Sequence, residues 1–180
     1  MKRLLDIILS LMGLIFTCPL QLIFLFLVWK EDKYNPFYFA KRVGKNGNIF
    51  KMIKIRTMIV NADLNGVDST SDNDPRITRI GSLIRKYKID ELPQLFNILI
   101  GDMSFVGPRP NVKNETDLYT NEEKVLITVK PGITDFSSIV FSDEGEILSN
   151  SVDPNIDYNQ LIRPGKSMLG IFYVNNNNLI

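Results

Sequence analysis

The chain has 180 residues and a formal net charge of +1, so its overall charge gives no reason to expect a nucleic-acid partner. It contains no histidine, which excludes Ser–His–Asp and Cys–His catalysis and zinc sites built on imidazole. Its one cysteine, Cys18, excludes an intrachain disulfide, so acid–base or covalent chemistry would have to use carboxylates, lysines, tyrosines or hydroxyls.

The first element is a long apolar segment. Residues 7–29 carry no charge, and roughly 20 such residues are enough for a helix to cross the core of a bilayer. Trp29 stands at its end, where an aromatic ring favours the headgroup level. The segment is long for a signal peptide, and no Ala-x-Ala-like cleavage site follows it. We therefore predict a membrane-embedded helix.

Pro19 lies near the middle of this segment and predicts a kink, where the Thr17 hydroxyl could bond to a released carbonyl. Cys18 is interpreted as a small apolar filler. Basic residues flank the segment on both sides: Lys2 and Arg3 before it, Lys30 and Lys33 after it. The positive-inside rule therefore gives no orientation. An ordinary kinked transmembrane helix and a helix that bends at Pro19 and returns to the same face both remain open.

Two strand-like runs follow, at residues 37–42 and 49–56, and Asn46–Gly47 between them is a turn signal, so we predict a β-hairpin. The polar stretch 60–75 is typical of a loop. A first helix would then be capped by Asp74 with Pro75 in its first turn. A second would cover residues 90–99, with four apolar side chains inside: Leu92, Leu95, Phe96 and Leu99.

The acidic pair Asp90–Glu91 stands at the predicted start of the second helix, where the helix dipole stabilises carboxylates. Such a pair is commonly a solvated helix start, and the basic run before it is commonly a solvated face. Arg85 and Arg109, however, suit bidentate contact with phosphate. A carboxylate among such cations indicates a nucleophile or a ligand for Mg²⁺, which prefers one or two carboxylates plus substrate phosphates. Close to a membrane helix, this pattern predicts a lipid-linked phosphate substrate.

Three stretches resemble the monotopic phosphoglycosyl transferases, also called bacterial sugar transferases: KRVGKNGNIFKMIKIRTM, DPRITRIGSLIRKYKIDELPQLFNILIGDMSFVGPRP and VKPGIT. With the apolar N-terminus they span most of residues 1–134, and the DELPQLFN…GDMSFVGPRP block is long and highly specific. The resemblance implies an α+β monotopic membrane protein with a re-entrant helix broken at Pro19, a β-hairpin and a small helical catalytic domain. Residues 1–33 would be the re-entrant helix, with Thr17, Cys18 and Pro19 at its bend, and residues 34–180 the cytosolic catalytic domain.

The resemblance also implies an activity. Family members move a sugar-1-phosphate from a nucleotide diphosphate sugar, usually UDP-linked, to polyprenyl phosphate. This is the first membrane step of capsule, O-antigen, exopolysaccharide or glycoprotein glycan assembly at the bacterial inner membrane, with the catalytic domain facing the cytosol. By resemblance, Asp90 attacks the phosphate that bears the sugar and releases UMP, and polyprenyl phosphate resolves the covalent phosphosugar–aspartate. Asp90 and Glu91 would hold Mg²⁺, while Arg85, Pro108 and Arg109 would bind phosphate or nucleotide.

Some features leave alternatives open. Residues 135–140 read DFSSIV, where the family commonly has Gly and an aromatic residue followed by Ala–Gln–Val, so the sugar and the pathway stay unassigned. Relatives usually continue with an aspartate and a further amphipathic helix, so the chain is expected to be a truncated form or a compact variant. A membrane-anchored scaffold without catalysis and a single-span protein with an outward domain are the other interpretations, and a homodimer is a further open possibility.

Overall fold

A computed structural model describes residues 1–62, 74–149 and 153–177. Most of the predicted loop 60–75 lies outside these residues. The longer elements are, in chain order, α1 (Lys2–Asp32), β1 (Phe37–Val43), β2 (Ile49–Ile55), α2 (Arg79–Lys86), α3 (Gln94–Ile100), β3 (Ser104–Val106), α4 (Lys113–Thr116), β4 (Gly132–Thr134), α5 (Phe136–Val140), α6 (Glu144–Ile147), α7 (Pro154–Asp157) and α8 (Arg163–Asn176). The described fold therefore mixes helices and strands, as predicted.

In the described ranges, four short stretches of 3₁₀ or π helix connect these elements. Three are 3₁₀ turns, at Lys45–Gly47, Ile89–Glu91 and Glu123–Thr128, and the fourth is a π turn at Tyr158–Ile162. The described strands form two separate pairs: β1 with β2, antiparallel, and β3 with β4, parallel.

The apolar segment forms α1, a helix of 31 residues, and α1 is the one described helix that is long and apolar enough to cross a membrane. α1 is one helix through Pro19, so the predicted break at this residue is not confirmed, and a bend there stays a prediction. The polar side chains nearby are satisfied within the helix: Thr17 Oγ1 donates to the Gly13 carbonyl at 2.6 Å, and Gln21 Nε2 donates to Thr17 Oγ1 at 2.8 Å. Cys18 is exposed, so it fills no packed position.

Charged side chains at the start of α1 hold it to the rest of the protein. The guanidinium of Arg3 donates to the Ile98 and Leu99 carbonyls at 2.6 and 2.8 Å. The buried Asp6 carboxylate accepts from Ser104 Oγ and from the Phe105 N–H, both at 3.1 Å. The start of α1 is therefore fixed to the end of α3 and to β3.

The other end of α1 contacts the same body of the protein. Asp32 pairs with both terminal nitrogens of Arg56, at 2.6 and 2.7 Å. Val28 is buried in an apolar cluster with Ile55, Ile84 and Ile89. Both ends of the apolar helix therefore contact the elements that follow it in the chain.

The predicted β-hairpin is confirmed. β1 and β2 pair from Phe37 opposite Ile55 to Val43 opposite Ile49. At the turn, Asn46 and Gly47 have φ angles of 58° and 80°, a left-handed conformation that these two residues tolerate better than others. Met52 and Ala40 pack from the hairpin against α3, in a buried cluster with Leu95, Ile98 and Met103.

The predicted start of the first helix is wrong. α2 begins at Arg79, and its cap is Thr78, whose hydroxyl accepts from the Gly81 N–H at 3.0 Å. Asp74 instead accepts from the Arg76 N–H at 2.9 Å and pairs with its guanidinium at 2.7 Å. Residue 77 cannot be helical because Ile77 forms a β-bridge with Met58, a contact between distant parts of the chain.

The second helix lies close to its predicted place, but it begins as the 3₁₀ turn Ile89–Glu91 before α3. The prediction that Phe96 lies inside is wrong, because its side chain is exposed. The inward face of α3 instead includes two polar residues, Gln94 and Asn97, which are both fully buried.

Gly81 allows α2 to contact the end of β2, since a Cβ atom at this position would lie 1.9 Å from the Thr57 carbonyl oxygen. We expect Gly81→Ala to lower the free energy of unfolding by about 1–3 kcal/mol, the usual cost of overpacking, although alanine favours helix over glycine. Thermal unfolding of the purified protein in detergent measures this change. Ser82→Ala, at the exposed neighbour, is the control, and equal unfolding temperatures for the two variants would contradict the packing argument.

Candidate active site

The acidic pair lies on the 3₁₀ turn between α2 and α3. Lys88, just before this turn, has φ 55° and ψ 23°, an uncommon left-handed conformation for a residue other than glycine. This reversal directs the chain back toward β2 and buries Asp90, which is 7% exposed. A solvated helix start is therefore the wrong description of Asp90.

Lys54, in β2, contacts both carboxylates. Its Nζ lies 3.4 Å from Asp90 Oδ2 and 3.1 Å from Glu91 Oε1. The sequence analysis missed this residue. The available signal was its position between Ile53 and Ile55 in a strand, because a charge placed in an apolar strand needs a partner.

Arg109 approaches Glu91 from the turn that follows β3. Its terminal nitrogen donates to Glu91 Oε1 at 2.7 Å, the same oxygen that Lys54 contacts. The structure therefore brings together three of the predicted site residues, Asp90, Glu91 and Arg109, and adds Lys54.

The Glu91 carboxyl is held in its charged form. Burial alone would raise its pKa, because a carboxylate loses hydration inside the protein. The positive charges of Arg109 and Lys54, and the hydrogen bonds from both, outweigh burial and hold the pKa of Glu91 well below its usual range. Glu91 is therefore an anion near neutral pH and is not a proton donor there.

Asn97 positions α3 against β2. Its side-chain Oδ1 accepts from the Ile53 N–H and its Nδ2 donates to the Lys51 carbonyl, both at 2.9 Å. These backbone groups lie on either side of Met52, and Ile53 immediately precedes Lys54. A buried amide thus sets the separation between the cation on β2 and the acidic pair on the turn before α3.

The other predicted site residues lie elsewhere in the fold. Arg85, in the last turn of α2, donates from Nε to Thr57 Oγ1 at 2.9 Å, beyond the end of β2. Pro108 lies beside Arg109 in the wall of a cleft. Thr17, Cys18 and Pro19 belong to the middle of α1.

Gln94 is a second polar residue of α3 that the sequence analysis did not identify. It is 1% exposed, and within the described part of the chain its Nε2 atom has no hydrogen-bond acceptor. An unsatisfied buried amide costs about 1–3 kcal/mol. Gln94, four residues after Asp90 in the sequence, therefore carries an available buried hydrogen-bond donor.

The two carboxylates are a suitable but incomplete donor set for Mg²⁺. Among the described residues, no group of three or more Asp, Glu, His or Cys side chains could hold a metal ion. Mg²⁺ is commonly bound by one or two carboxylates together with substrate phosphates and water. Asp90 and Glu91 fit that pattern only if a substrate supplies the other oxygens.

The geometry suits chemistry on a phosphate. Asp90 offers a carboxylate oxygen as a nucleophile. Lys54 and Arg109 supply positive charge beside the acidic pair, since Lys54 contacts Asp90 and Arg109 contacts Glu91. Such preorganised cations stabilise the charge that develops on a transferring phosphoryl group.

Comparison with known proteins gives one family. The family model described as bacterial sugar transferase matches residues 1–173. A Bacillus subtilis protein with the provisional name undecaprenyl-phosphate N-acetylgalactosaminyl 1-phosphate transferase is 45% identical over 121 residues, which are 67% of this chain and 68% of that protein.

Two longer relatives are similar over more of this chain. The undecaprenyl-phosphate galactose phosphotransferase of Salmonella typhimurium is 40% identical over 149 residues, 74% of this chain and 31% of that protein. The UDP-N-acetylgalactosamine-undecaprenyl-phosphate N-acetylgalactosaminephosphotransferase of Aeromonas hydrophila is 37% identical over 142 residues, 77% of this chain and 34% of that protein. The chain thus spans about a third of the length of these two relatives.

The ion pairs of Glu91 predict a pH-dependent stability. Its pKa is lower in the folded protein than in the unfolded chain, where it is about 4.3, so its contribution is complete above that pH and is lost as the pH falls toward the folded value. We expect Glu91→Gln to lower the free energy of unfolding at pH 7 by about 1–3 kcal/mol, between the costs for exposed and buried pairs.

Denaturant unfolding at pH 7 and at pH 4 measures this effect, and the difference between wild type and Glu91→Gln should shrink at pH 4. The control is Glu122→Gln, at an exposed glutamate directly before the 3₁₀ turn Glu123–Thr128. This substitution should change the free energy of unfolding little at either pH. A difference that grows on acidification contradicts the assignment.

Proposed function

The chain belongs to the bacterial sugar transferase family, and from that membership we propose that it is a sugar-phosphate transferase: it moves a sugar-1-phosphate from a UDP-sugar to polyprenyl phosphate and releases UMP. The names of the relatives support this reaction, since they include an undecaprenyl phosphate acceptor, a UDP-linked donor and the sugars galactose and N-acetylgalactosamine. The product would begin a surface glycan such as a capsule or exopolysaccharide.

The proposed reaction has two displacements. An oxygen of the Asp90 carboxylate attacks the phosphorus that bears the sugar, the bond to UMP breaks, and UMP leaves with the electron pair. An oxygen of polyprenyl phosphate then attacks the same phosphorus, the bond to Asp90 breaks, and the free carboxylate returns. Covalent catalysis divides one difficult transfer into two easier ones. The observation that carries the proposal is the buried Asp90, in contact with Lys54 and adjacent to the doubly paired Glu91.

The other residues would bind and orient the substrates. Lys54 and Arg109 would neutralise the diphosphate, Glu91 would hold these cations in place, and Arg85 would bind a phosphate from the end of α2. Mg²⁺, when bound with Asp90 and Glu91, would supply further positive charge for the diphosphate. The intact set of Asp90–Glu91, Arg85 and Arg109 argues against a scaffold without catalysis.

The position of α1 supports a helix that enters and leaves the membrane on one face. A helix that crossed the bilayer would separate its two ends by about 30 Å of lipid core. Here Arg3 and Asp6 near one end, and Asp32 at the other, all contact the same folded body. We therefore propose a re-entrant helix over residues 1–33, with residues 34–180 on the cytosolic face of the inner membrane. A homodimer stays a prediction.

The covalent step predicts a trapped adduct. Incubation of the protein with Mg²⁺ and a UDP-sugar, without lipid acceptor, should add the mass of a sugar phosphate to the peptide that contains Asp90. Asp90→Asn should form no adduct and lower the rate of UMP release at least 1,000-fold, roughly the effect of removing a catalytic nucleophile. Asp117→Asn, at an exposed aspartate, is the control. An adduct on another residue would falsify this mechanism.

The re-entrant helix predicts that both of its ends face the same side. Because Cys18 is the one cysteine, Cys18→Ser gives a background without thiols, into which a cysteine is inserted next to Met1 or introduced at the exposed Lys124. An impermeant maleimide, added to inverted inner-membrane vesicles, should label both positions, and added to spheroplasts it should label neither. Labelling of the two positions from opposite sides contradicts the topology.

A further inference from the structure

Two cations meet at the end of α3, beside the first turn of α1. Arg3 belongs to α1 and donates to the last carbonyls of α3, while Lys130 stands in the loop just before β4. A Cβ atom at Gly101 would lie 3.2 Å from Arg3 Nη2 and 3.3 Å from Lys130 Nζ. The two positively charged nitrogens therefore approach the same point, which the glycine leaves open.

The end of a helix explains the position of Arg3 but not that of Lys130. The last carbonyls of a helix accept hydrogen bonds from cations, and Arg3 makes two such contacts. Lys130 is half-buried, and within the described parts of the chain its Nζ has neither a hydrogen-bond acceptor nor a carboxylate partner. Two like charges held this close are unfavourable unless an anion lies between them.

The charges around Lys130 leave it uncompensated. Burial lowers its pKa, and the nearby positive charges of Arg3 and Lys45 lower it further. The carboxylates of Asp6 and Asp102 act in the opposite direction without restoring the usual value. Asp6 is moreover already engaged by two donors in β3. The protein therefore supplies too little negative charge at this point.

Apolar side chains surround the two cations on the side of α1. Leu4 and Leu5 follow Arg3 directly, Ile100 directly precedes Gly101, and all three side chains are exposed. The uncharged part of α1 begins at residue 7. Charged residues at the end of a membrane helix lie at the level of the lipid headgroups, whichever way the helix is oriented. The two cations are therefore placed where charged protein meets lipid.

We propose that Arg3 and Lys130 bind the phosphate of an anionic phospholipid such as phosphatidylglycerol, whose acyl chains cover Leu4, Leu5 and Ile100. Basic pockets beside membrane helices are suited to anionic headgroups. A free phosphate ion would match the charge but would leave the apolar side chains uncovered. This inference goes beyond the proposed reaction, in which a phospholipid is neither donor nor acceptor.

The site is separate from the acidic pair. Glu91 lies before the start of α3, whereas Arg3 contacts the Leu99 carbonyl near the end of this helix. The eight residues between them correspond to about 12 Å of helix. A phosphate held by Arg3 is therefore out of reach of the Asp90 carboxylate, which distinguishes this lipid from the polyprenyl phosphate acceptor.

Thermal unfolding of the full chain in an uncharged detergent, titrated with short-chain phosphatidylglycerol, tests this proposal. A lipid that binds the folded protein raises the unfolding temperature according to its concentration and its Kd. We expect the Kd of Lys130→Gln to be about tenfold higher than that of wild type, the usual scale for one charged hydrogen bond. Without lipid, this variant should unfold at or above the wild-type temperature, because the repulsion between Lys130 and Arg3 is removed.

Two further variants control for charge and for position. Lys130→Arg keeps the cation and should bind phosphatidylglycerol like wild type. Lys124→Gln removes the same charge from an exposed lysine elsewhere in the fold, and it should leave the lipid affinity unchanged. A purely structural role of Lys130 would instead lower the unfolding temperature in the absence of lipid and leave the Kd unchanged.

Three other ligands separate the sources of phosphate. Phosphatidylcholine carries its own cation, so it should stabilise wild type and Lys130→Gln equally and less than phosphatidylglycerol stabilises wild type. Inorganic phosphate at the same concentration should have no effect that depends on Lys130. In turnover assays in the same detergent, Lys130→Gln should leave KM for polyprenyl phosphate unchanged.

The proposal is overturned if phosphatidylglycerol stabilises wild type no more than phosphatidylcholine does, or if Lys130→Gln binds phosphatidylglycerol with unchanged affinity. Stabilisation by inorganic phosphate that is lost in Lys130→Gln would replace the lipid with a free anion. A raised KM for polyprenyl phosphate in this variant would assign the cations to the acceptor instead, and would also overturn the proposal.

Discussion

The pairing of the Asn97 side chain with the edge of β2 is the interaction on which the site depends. Among the described residues β2 has only β1 as a strand neighbour, so its other edge would expose unpaired backbone groups. Asn97 supplies one donor and one acceptor to this edge, from Lys51 to Ile53, and so acts as a single residue of a third strand. Its own carbonyl accepts from Gly101, Asp102 and Met103 and ends α3. One residue therefore fixes β2, α3 and the following loop relative to each other.

That arrangement makes the charges of the site interdependent. Two adjacent carboxylates repel each other, and burial adds the loss of their hydration. Lys54 can offset both only because β2 is held at the distance that Asn97 sets, and Arg109 adds a second cation from the loop after β3. In the proposed transfer, a phosphate that entered this space would meet cations already in position, so little reorganisation would be needed as charge develops.

The sequence predicted features that depend on neighbouring residues. It did not predict features that depend on contacts between distant parts of the chain. The Asn46–Gly47 turn follows from the φ angles that these two residues tolerate, and the acidic pair at a helix start follows from the helix dipole. Lys54 was missed because its partners lie 36 and 37 positions away, across a strand-to-helix contact that no local pattern encodes. The cap at Asp74 was misplaced for the same reason, because the bridge between Met58 and Ile77 overrides a good local signal.

The apolar helix is part of the catalytic body, although its composition differs from that of the rest. Asp6 is buried at the start of α1, where a carboxylate would be unfavourable without its two donors in β3, Ser104 and Phe105. β3 leads directly into the turn that carries Arg109, so the beginning of the apolar helix and the cation paired with Glu91 are joined by one short, hydrogen-bonded segment. The position of α1 on the rest of the protein and the geometry of the acidic pair are therefore set by connected contacts.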